Sequence, residues 1–84
     1  MTSYEHLDLL KAQIERRVPE LRVFLAPDAQ ILHVTRRAVP GRHIVWSYKA
    51  RAYLWLDGPD AGGQLGADAI QAVRQVERAL LPSS

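Results

Sequence analysis

Three histidines are the residues of this chain best suited to metal or acid–base chemistry, and they stand at positions 6, 33 and 43. Only His33 and His43 fall in neighbouring predicted strands, where two imidazoles could begin a zinc site. The third and fourth ligands are missing from any recognisable spacing, and the chain contains no cysteine. We therefore expect surface histidines within a basic region, and no metal.

Nucleophilic and carboxylate catalysis has little support in the sequence. Such catalysis needs a nucleophile beside a base, or two carboxylates set against each other. Ser47 is the one serine in a predicted strand and has no obvious base beside it. Asp57 and Asp60 stand in a glycine-rich loop, where carboxylates commonly form turns. The sequence predicts no catalytic residues, no cofactor and no enzymatic activity.

The glycine-rich loop, residues 58–66, precedes a predicted helix, as phosphate-binding loops do. It lacks the Gly-Lys-Ser/Thr ending of such loops, and its glycines do not have the spacing of a dinucleotide-binding loop. Asp57, Asp60 and Asp68 would also repel a phosphate. A plain connection is the better interpretation.

Positive charge is concentrated in the middle of the chain. Residues 30–51 contain five basic side chains and no acidic one, although the net charge of the whole chain is only +2. These side chains are Arg36, Arg37, Arg42, Lys49 and Arg51. Aromatic residues lie between them, and aromatic rings on an open sheet can stack on bases while arginines hold phosphates. Nucleic-acid binding through these five residues is one functional hypothesis.

Helical patterns open and close the chain. At the start, Thr2 and Glu5 form a capping box, and apolar residues then recur at helical spacing until Val18, before Pro19.

A second helix is predicted from about residue 67, with Gly66 or Asp68 as its cap. Its apolar face consists of Ala69, Ile70, Val73, Val76 and Leu80. The last residues, 81–84, are expected to form a frayed tail.

Alternating apolar residues between the helices predict two hairpins. The first joins strands at 21–25 and 30–36, and its turn would pair Leu25 with Gln30 and Val23 with Leu32. One face of this hairpin is aliphatic, and its members are Leu21, Val23, Leu25, Leu32 and Val34. The next turn is predicted at residues 37–41, because it contains the turn-forming pair Pro40-Gly41.

The second hairpin, residues 42–57, contains both tryptophans and two of the three tyrosines. A two-residue turn at 49–50 would pair Trp46 with Tyr53 and sort the side chains into an aromatic face and an aliphatic face. The aliphatic face, which the helices would cover, would consist of Val45, Ala52, Leu54 and Leu56. A three-residue loop at 49–51 would reverse the faces of the second strand, since one residue of slip flips every side chain. We favour the first register, because it matches aromatic residues across the strands.

The length of the chain sets bounds on its organisation. We expect a single α+β domain over residues 1–84, near the lower size limit for a stable core, with no disulfide to support it. Self-association is the remaining common way to gain buried area. The first residues do not resemble a signal peptide, and no apolar run is long enough to span a membrane. We therefore expect a cytoplasmic protein without membrane contact.

The expected fold is a helix, a four-stranded antiparallel sheet and a helix (α-β-β-β-β-α), with both helices on one sheet face. This outline is similar to that of double-stranded-RNA-binding domains. Residues 67–70, however, lack the lysine cluster that opens the last helix in that family, and one strand is additional, so no residue roles are transferred.

Helices on the aliphatic face would leave the aromatic face uncovered. The expected interface residues are then Phe24, Ile31, Trp46, Tyr48, Tyr53 and Trp55. A patch of this kind is unusual on a monomer and usually marks an interface. The first functional hypothesis is a small non-enzymatic interaction or regulatory module that forms a homodimer, or binds another protein, through this face. Nucleic-acid binding is the alternative.

Overall fold

A computed structural model describes residues 2–28, 30–37 and 39–81, without the side chains of residues 39 and 40. Within these residues the chain forms two helices and five strands. They are α1 (Ser3–Arg17), β1 (Arg22–Ala26), β2 (Ile31–Arg36), β3 (Val39–Ser47), β4 (Ala52–Trp55), β5 (Gln64–Gly66) and α2 (Ala69–Leu80). The strands form one antiparallel sheet in chain order. Of the predicted tail, residues 82–84 lie outside the described part.

The α+β class is confirmed, whereas the predicted number of four strands is wrong. The additional strand, β5, comes from the end of the glycine-rich loop, where Tyr53 pairs with Gly66 and Leu54 with Gln64. The described helices include none that is long and apolar enough to cross a membrane.

Both helices start at the caps that the sequence indicates. The hydroxyl of Thr2 accepts a hydrogen bond from the Glu5 amide at 3.1 Å, and the Glu5 carboxylate accepts one from the Thr2 amide at 3.2 Å. Asp68 caps α2 by accepting from the Gln71 amide at 2.8 Å. Ile70 is exposed, so its predicted place on the buried face of α2 is wrong.

The first hairpin keeps its predicted faces but not its predicted pairing. Leu25 pairs with Leu32 and Val23 with Val34, two residues away from the expected register. Between the two strands, the Gln30 amide donates to the Ala26 carbonyl at 3.0 Å, and Gln30 has a φ of 50°. A shift of two residues leaves the alternation unchanged, so the aliphatic face remains.

The favoured register of the second hairpin is confirmed. Ile44 pairs with Trp55, and Trp46 pairs with Tyr53. The connecting loop runs from residue 48 to 51, and Arg51 takes a left-handed conformation there, with a φ of 52°.

A β-bulge between β2 and β3 decides which face of the second hairpin meets the helices. Arg36 pairs with Val39, but Val34 pairs with Arg42, so β3 carries one extra residue between these pairs. Without it, position 43 would lie opposite Leu32; with it, Ile44 does. The predicted turn at 37–41 is therefore wrong in extent, because β3 already begins at residue 39.

The bulge places the aromatic face of β3 and β4 on the same side as the aliphatic face of β1 and β2. One core cluster contains this combined face together with side chains of both helices. Tyr53 is 1% exposed and Trp55 is 4% exposed. The expectation that the aromatic face is uncovered is wrong for these two residues.

Candidate functional site

The opposite side of the sheet carries a second apolar surface, which we call the outer face. Beside the exposed cross-strand pair Arg22 and Thr35, it consists of the other large side chains that alternate with the core positions: Phe24, Ile31, His33, His43, Val45, Leu54 and, directly after β4, Leu56. Phe24 is 62% exposed and Leu56 is 47% exposed, while the others are half-buried. Phe24 and Leu56 are thus exposed to solvent at opposite sides of the outer face.

Aromatic and imidazole rings form a row across β1, β2 and β3 on the outer face. The centroids of the Phe24 and His33 rings are 5.9 Å apart. His33 and His43 are cross-strand partners, with ring centroids 4.4 Å apart and planes at 80°. The row places two polar rings near the middle of the sheet and the phenyl ring at its edge.

Asp57 completes the row and fixes one of the imidazoles. Its Oδ2 lies 2.6 Å from Nδ1 of His43, and its Oδ1 accepts from the His43 amide at 3.0 Å. The side-chain hydrogen bond to His43 lowers the pKa of the Asp57 carboxyl below its ordinary value. The hydrogen bond between the carboxylate and Nδ1 orients the His43 ring and leaves its Nε2 as the ring nitrogen turned away from Asp57.

This geometry does not favour metal chelation by the two imidazoles. Their nearly perpendicular planes set the edge of one ring against the face of the other, so that the lone pairs do not converge. Across the residues described, no three His, Cys, Asp or Glu side chains are grouped so that they could hold an ion. The His43–Asp57 pair is a hydrogen-bonded polar centre in a largely apolar face.

The predicted interface residues are divided between the two sides of the molecule. Phe24 and Ile31 lie on the outer face, and Tyr48 is exposed in the β3–β4 loop. Trp46 is half-buried against the core cluster and stacks on the His6 ring of α1, at 3.6 Å between centroids and 11° between planes. Tyr53 and Trp55 belong to the core, as described above.

Two of the five predicted anion-binding side chains are bound inside the fold. The Arg42 guanidinium lies 3.7 Å from the centre of the Trp55 ring, and its Nη2 donates to the Asp57 carbonyl at 2.9 Å. It also forms an ion pair with Asp60 at 3.4 Å. Arg36 donates from Nη1 to the Leu80 carbonyl at the end of α2, at 2.9 Å.

The other three basic residues do not form one patch. Arg37 lies at the β2–β3 turn, whereas Lys49 and Arg51 lie in the β3–β4 loop. These turns are at opposite ends of β3, which has nine residues and is therefore roughly 30 Å long. The basic block that is continuous in the sequence is dispersed in the fold.

The His43–Asp57 pair and the outer positions of β3 and β4 were not predicted as site residues. A signal for the pair was present, because the favoured register sets residue 43 opposite residue 56 and hence beside Asp57.

The side chains of Val45, Leu54 and Leu56 were assigned to the covered face. Their true position depends on the bulge, for which the sequence gives no signal. No protein-family model matches the chain, and the comparisons with curated proteins and with solved structures find no match.

Proposed function

We propose that this chain is a small interaction module that binds a second copy of itself through the outer face around Phe24. We also infer that both helices cover the other face of the sheet, since their buried side chains share one cluster with it. The observation that carries the proposal is the 62% exposure of Phe24 beside other apolar side chains. Exposed and half-buried apolar side chains that are concentrated on one face often mark an interface.

The charge of the outer face supports a second copy as the partner. In a two-fold symmetric interface the same groups meet each other, so an unpaired charge near the axis would face a like charge. The acidic group here, Asp57, is paired with His43 within the same chain at 2.6 Å. Arg22, exposed at the start of β1, has the opposite charge to Asp57, so the outer face has no excess of one sign and can meet its own copy without net repulsion.

Nucleic-acid binding has less support. Arg36 and Arg42 use their guanidinium groups within the fold, and the other three basic residues lie at two distant turns. Binding of a phosphate backbone would need several of them on one surface. We retain it as the second hypothesis, which predicts binding at low salt that falls steeply as salt is raised.

The test is the solution mass over a wide range of protein concentration, at low and moderate salt. We expect reversible formation of a species of twice the chain mass of 9.5 kDa. Phe24→Ser should shift the equilibrium to the monomer and leave the circular dichroism spectrum unchanged, because its ring is exposed. Tyr4→Ser, an exposed aromatic residue on α1, is the matched control and should not shift it. A wild-type chain that stays monomeric throughout contradicts the proposal.

A further inference from the structure

The two edges of the sheet differ in how open they are. At one edge, β1 has the sequence Arg22-Val-Phe-Leu-Ala26 and pairs with β2 without irregularity along its whole length. It contains no lysine, proline, glycine or bulge, and its one charged side chain, Arg22, stands at its first position, so the features with which natural sheets block an edge are absent from the rest of the strand. The backbone of β1 therefore presents alternate N–H and C=O groups to a further strand.

The edge at β5 is short and partly covered. This strand has three residues, its register with β4 is irregular, and Leu65 at its centre is buried. The first turn of α2 lies against its end, where a Cβ at Gly66 would come within 2.7 Å of the Gln71 Cβ. Of the two edges, β1 is the one suited to pairing with another chain.

Apolar side chains lie on both sides of the β1 edge. Phe24 is exposed on the outer face, and Val23 is partly buried on the covered side. Beside Val23 lies an open cleft of about 450 Å³. Its lining residues are Glu15, Pro19, Leu21, Arg22 and Val23. There is thus room along the edge for the side chains of an added strand.

The arrangement of polar groups on the outer face also places the contact at the edge. Interfaces have an apolar centre and a polar rim. A stack of two outer faces centred on β3 would bring His33, His43 and Asp57 to its middle. A contact centred on Phe24 would leave those groups at the rim and place the most exposed aromatic ring at the centre.

From these observations we infer that two copies pair along β1, antiparallel and around a two-fold axis at Phe24. The inference rests on the self-association proposed above and specifies its geometry. Phe24 faces Phe24 of the second copy, and Val23 faces Leu25 of the second copy. The two five-stranded sheets become one continuous sheet, in which the backbone groups of both edges are paired.

The interface between the two β1 strands is small, and its area limits the affinity of the dimer. Five paired residues extend over roughly 17 Å, so the interface is smaller than the roughly 800 Å² per partner of a standard stable complex. The dimer therefore dissociates in the micromolar range, and its population depends on protein concentration.

Three lysine variants test the geometry: Phe24→Lys and Val23→Lys at the edge, and Leu56→Lys on the outer face away from it. We expect both edge variants to raise the dimer dissociation constant by roughly tenfold or more. Leu56→Lys should change it by less than about twofold, because a single charge outside the contact has little effect. Circular dichroism checks that each variant is folded.

Hydrogen exchange of the wild-type chain is the second measurement, and it needs no variant. Alternate amides of β1 should become more protected as the protein concentration rises, while the amides of β5 should not. A dimer without this protection, and as sensitive to Leu56→Lys as to Phe24→Lys, would overturn the edge pairing and leave self-association through the outer face standing. A chain that never dimerises would overturn both.

Discussion

The two faces of the sheet are formed by alternate side chains of the same strands. Both faces carry large rings, yet one face belongs to the core and the other is open to solvent. Ile44, Tyr53 and Trp55 lie on the covered face, while Phe24 and the two imidazoles lie on the outer face. Removing two aromatic side chains from water buries roughly 400 Å², which is worth up to about 10 kcal/mol. The difference shows that aromatic clustering in a sequence marks surface to be buried, without saying whether the helices or a partner will bury it.

The largest test of this comparison removes one ring from each face. Trp55→Ala should lower the free energy of unfolding by about 3–5 kcal/mol, because it leaves a cavity in the core and removes the ring beneath Arg42. Phe24→Ala should lower the stability of the monomer by less than about 0.5 kcal/mol, as is usual for exposed positions. Urea denaturation at low protein concentration measures both. Equal losses would mean that the two faces are not different in burial.

A smaller effect is expected from removing the hydroxyl group of Tyr53, which lies on the covered face. The Tyr53 hydroxyl donates to the His6 carbonyl of α1, so Tyr53→Phe removes this hydrogen bond and should lower the free energy of unfolding by about 1 kcal/mol. Burial raises the pKa of Tyr53 to about 12.

The same hydroxyl gives a signature at alkaline pH. The pKa of Tyr53 in the folded chain lies above the value of about 10 in the unfolded chain. The contribution of the neutral Tyr53 hydroxyl to the free energy of unfolding is therefore complete below pH 10 and is lost as the pH rises towards 12. An ultraviolet titration of the folded chain should show one phenol ionising near pH 12. Tyr53→Phe should lack that step; if it is retained, the assignment is contradicted.

The smallest effect concerns the His6 imidazole, which stacks on Trp46 at the margin of the covered face. Burial lowers the pKa of His6, so the folded chain binds this proton less readily than the unfolded chain. The contribution of the neutral His6 ring to the free energy of unfolding is therefore complete above pH 6.5, the ordinary pKa of histidine, and is lost as the pH falls below that value. His6→Phe keeps a ring over Trp46 and should flatten the fall in stability on mild acidification. An unchanged pH dependence in urea denaturation would contradict this role.

Local signals in the sequence predicted the elements well. The capping box at Thr2 and the cap at Asp68 depend on residues three positions apart, and both form as expected. The register of the second hairpin also followed from its own residues, because Trp46 and Tyr53 match across the strands. These features need no knowledge of the rest of the chain.

The joining of the two hairpins could not be predicted in the same way. It depends on one extra residue in β3 between the partners of Val34 and Arg36, and the stretch 37–41 favours no particular turn. That residue reverses the face of everything after it, including Tyr53 and Trp55. The partners of Arg36 and Arg42 likewise depend on contacts with distant parts of the chain, at Leu80 and at Trp55.

The chain order of the sheet bears on how the molecule reaches its fold. Every strand pairs with the strand that follows it, so each ladder can form from a hairpin with a short loop to close. Among the described elements, the two helices come from opposite ends of the chain and meet over the longest sequence separation, where Arg17 of α1 lies 3.8 Å from Glu77 of α2. Their contact closes the largest loop between the described elements, so it carries the largest entropic cost of loop closure, and we expect it to form late in folding.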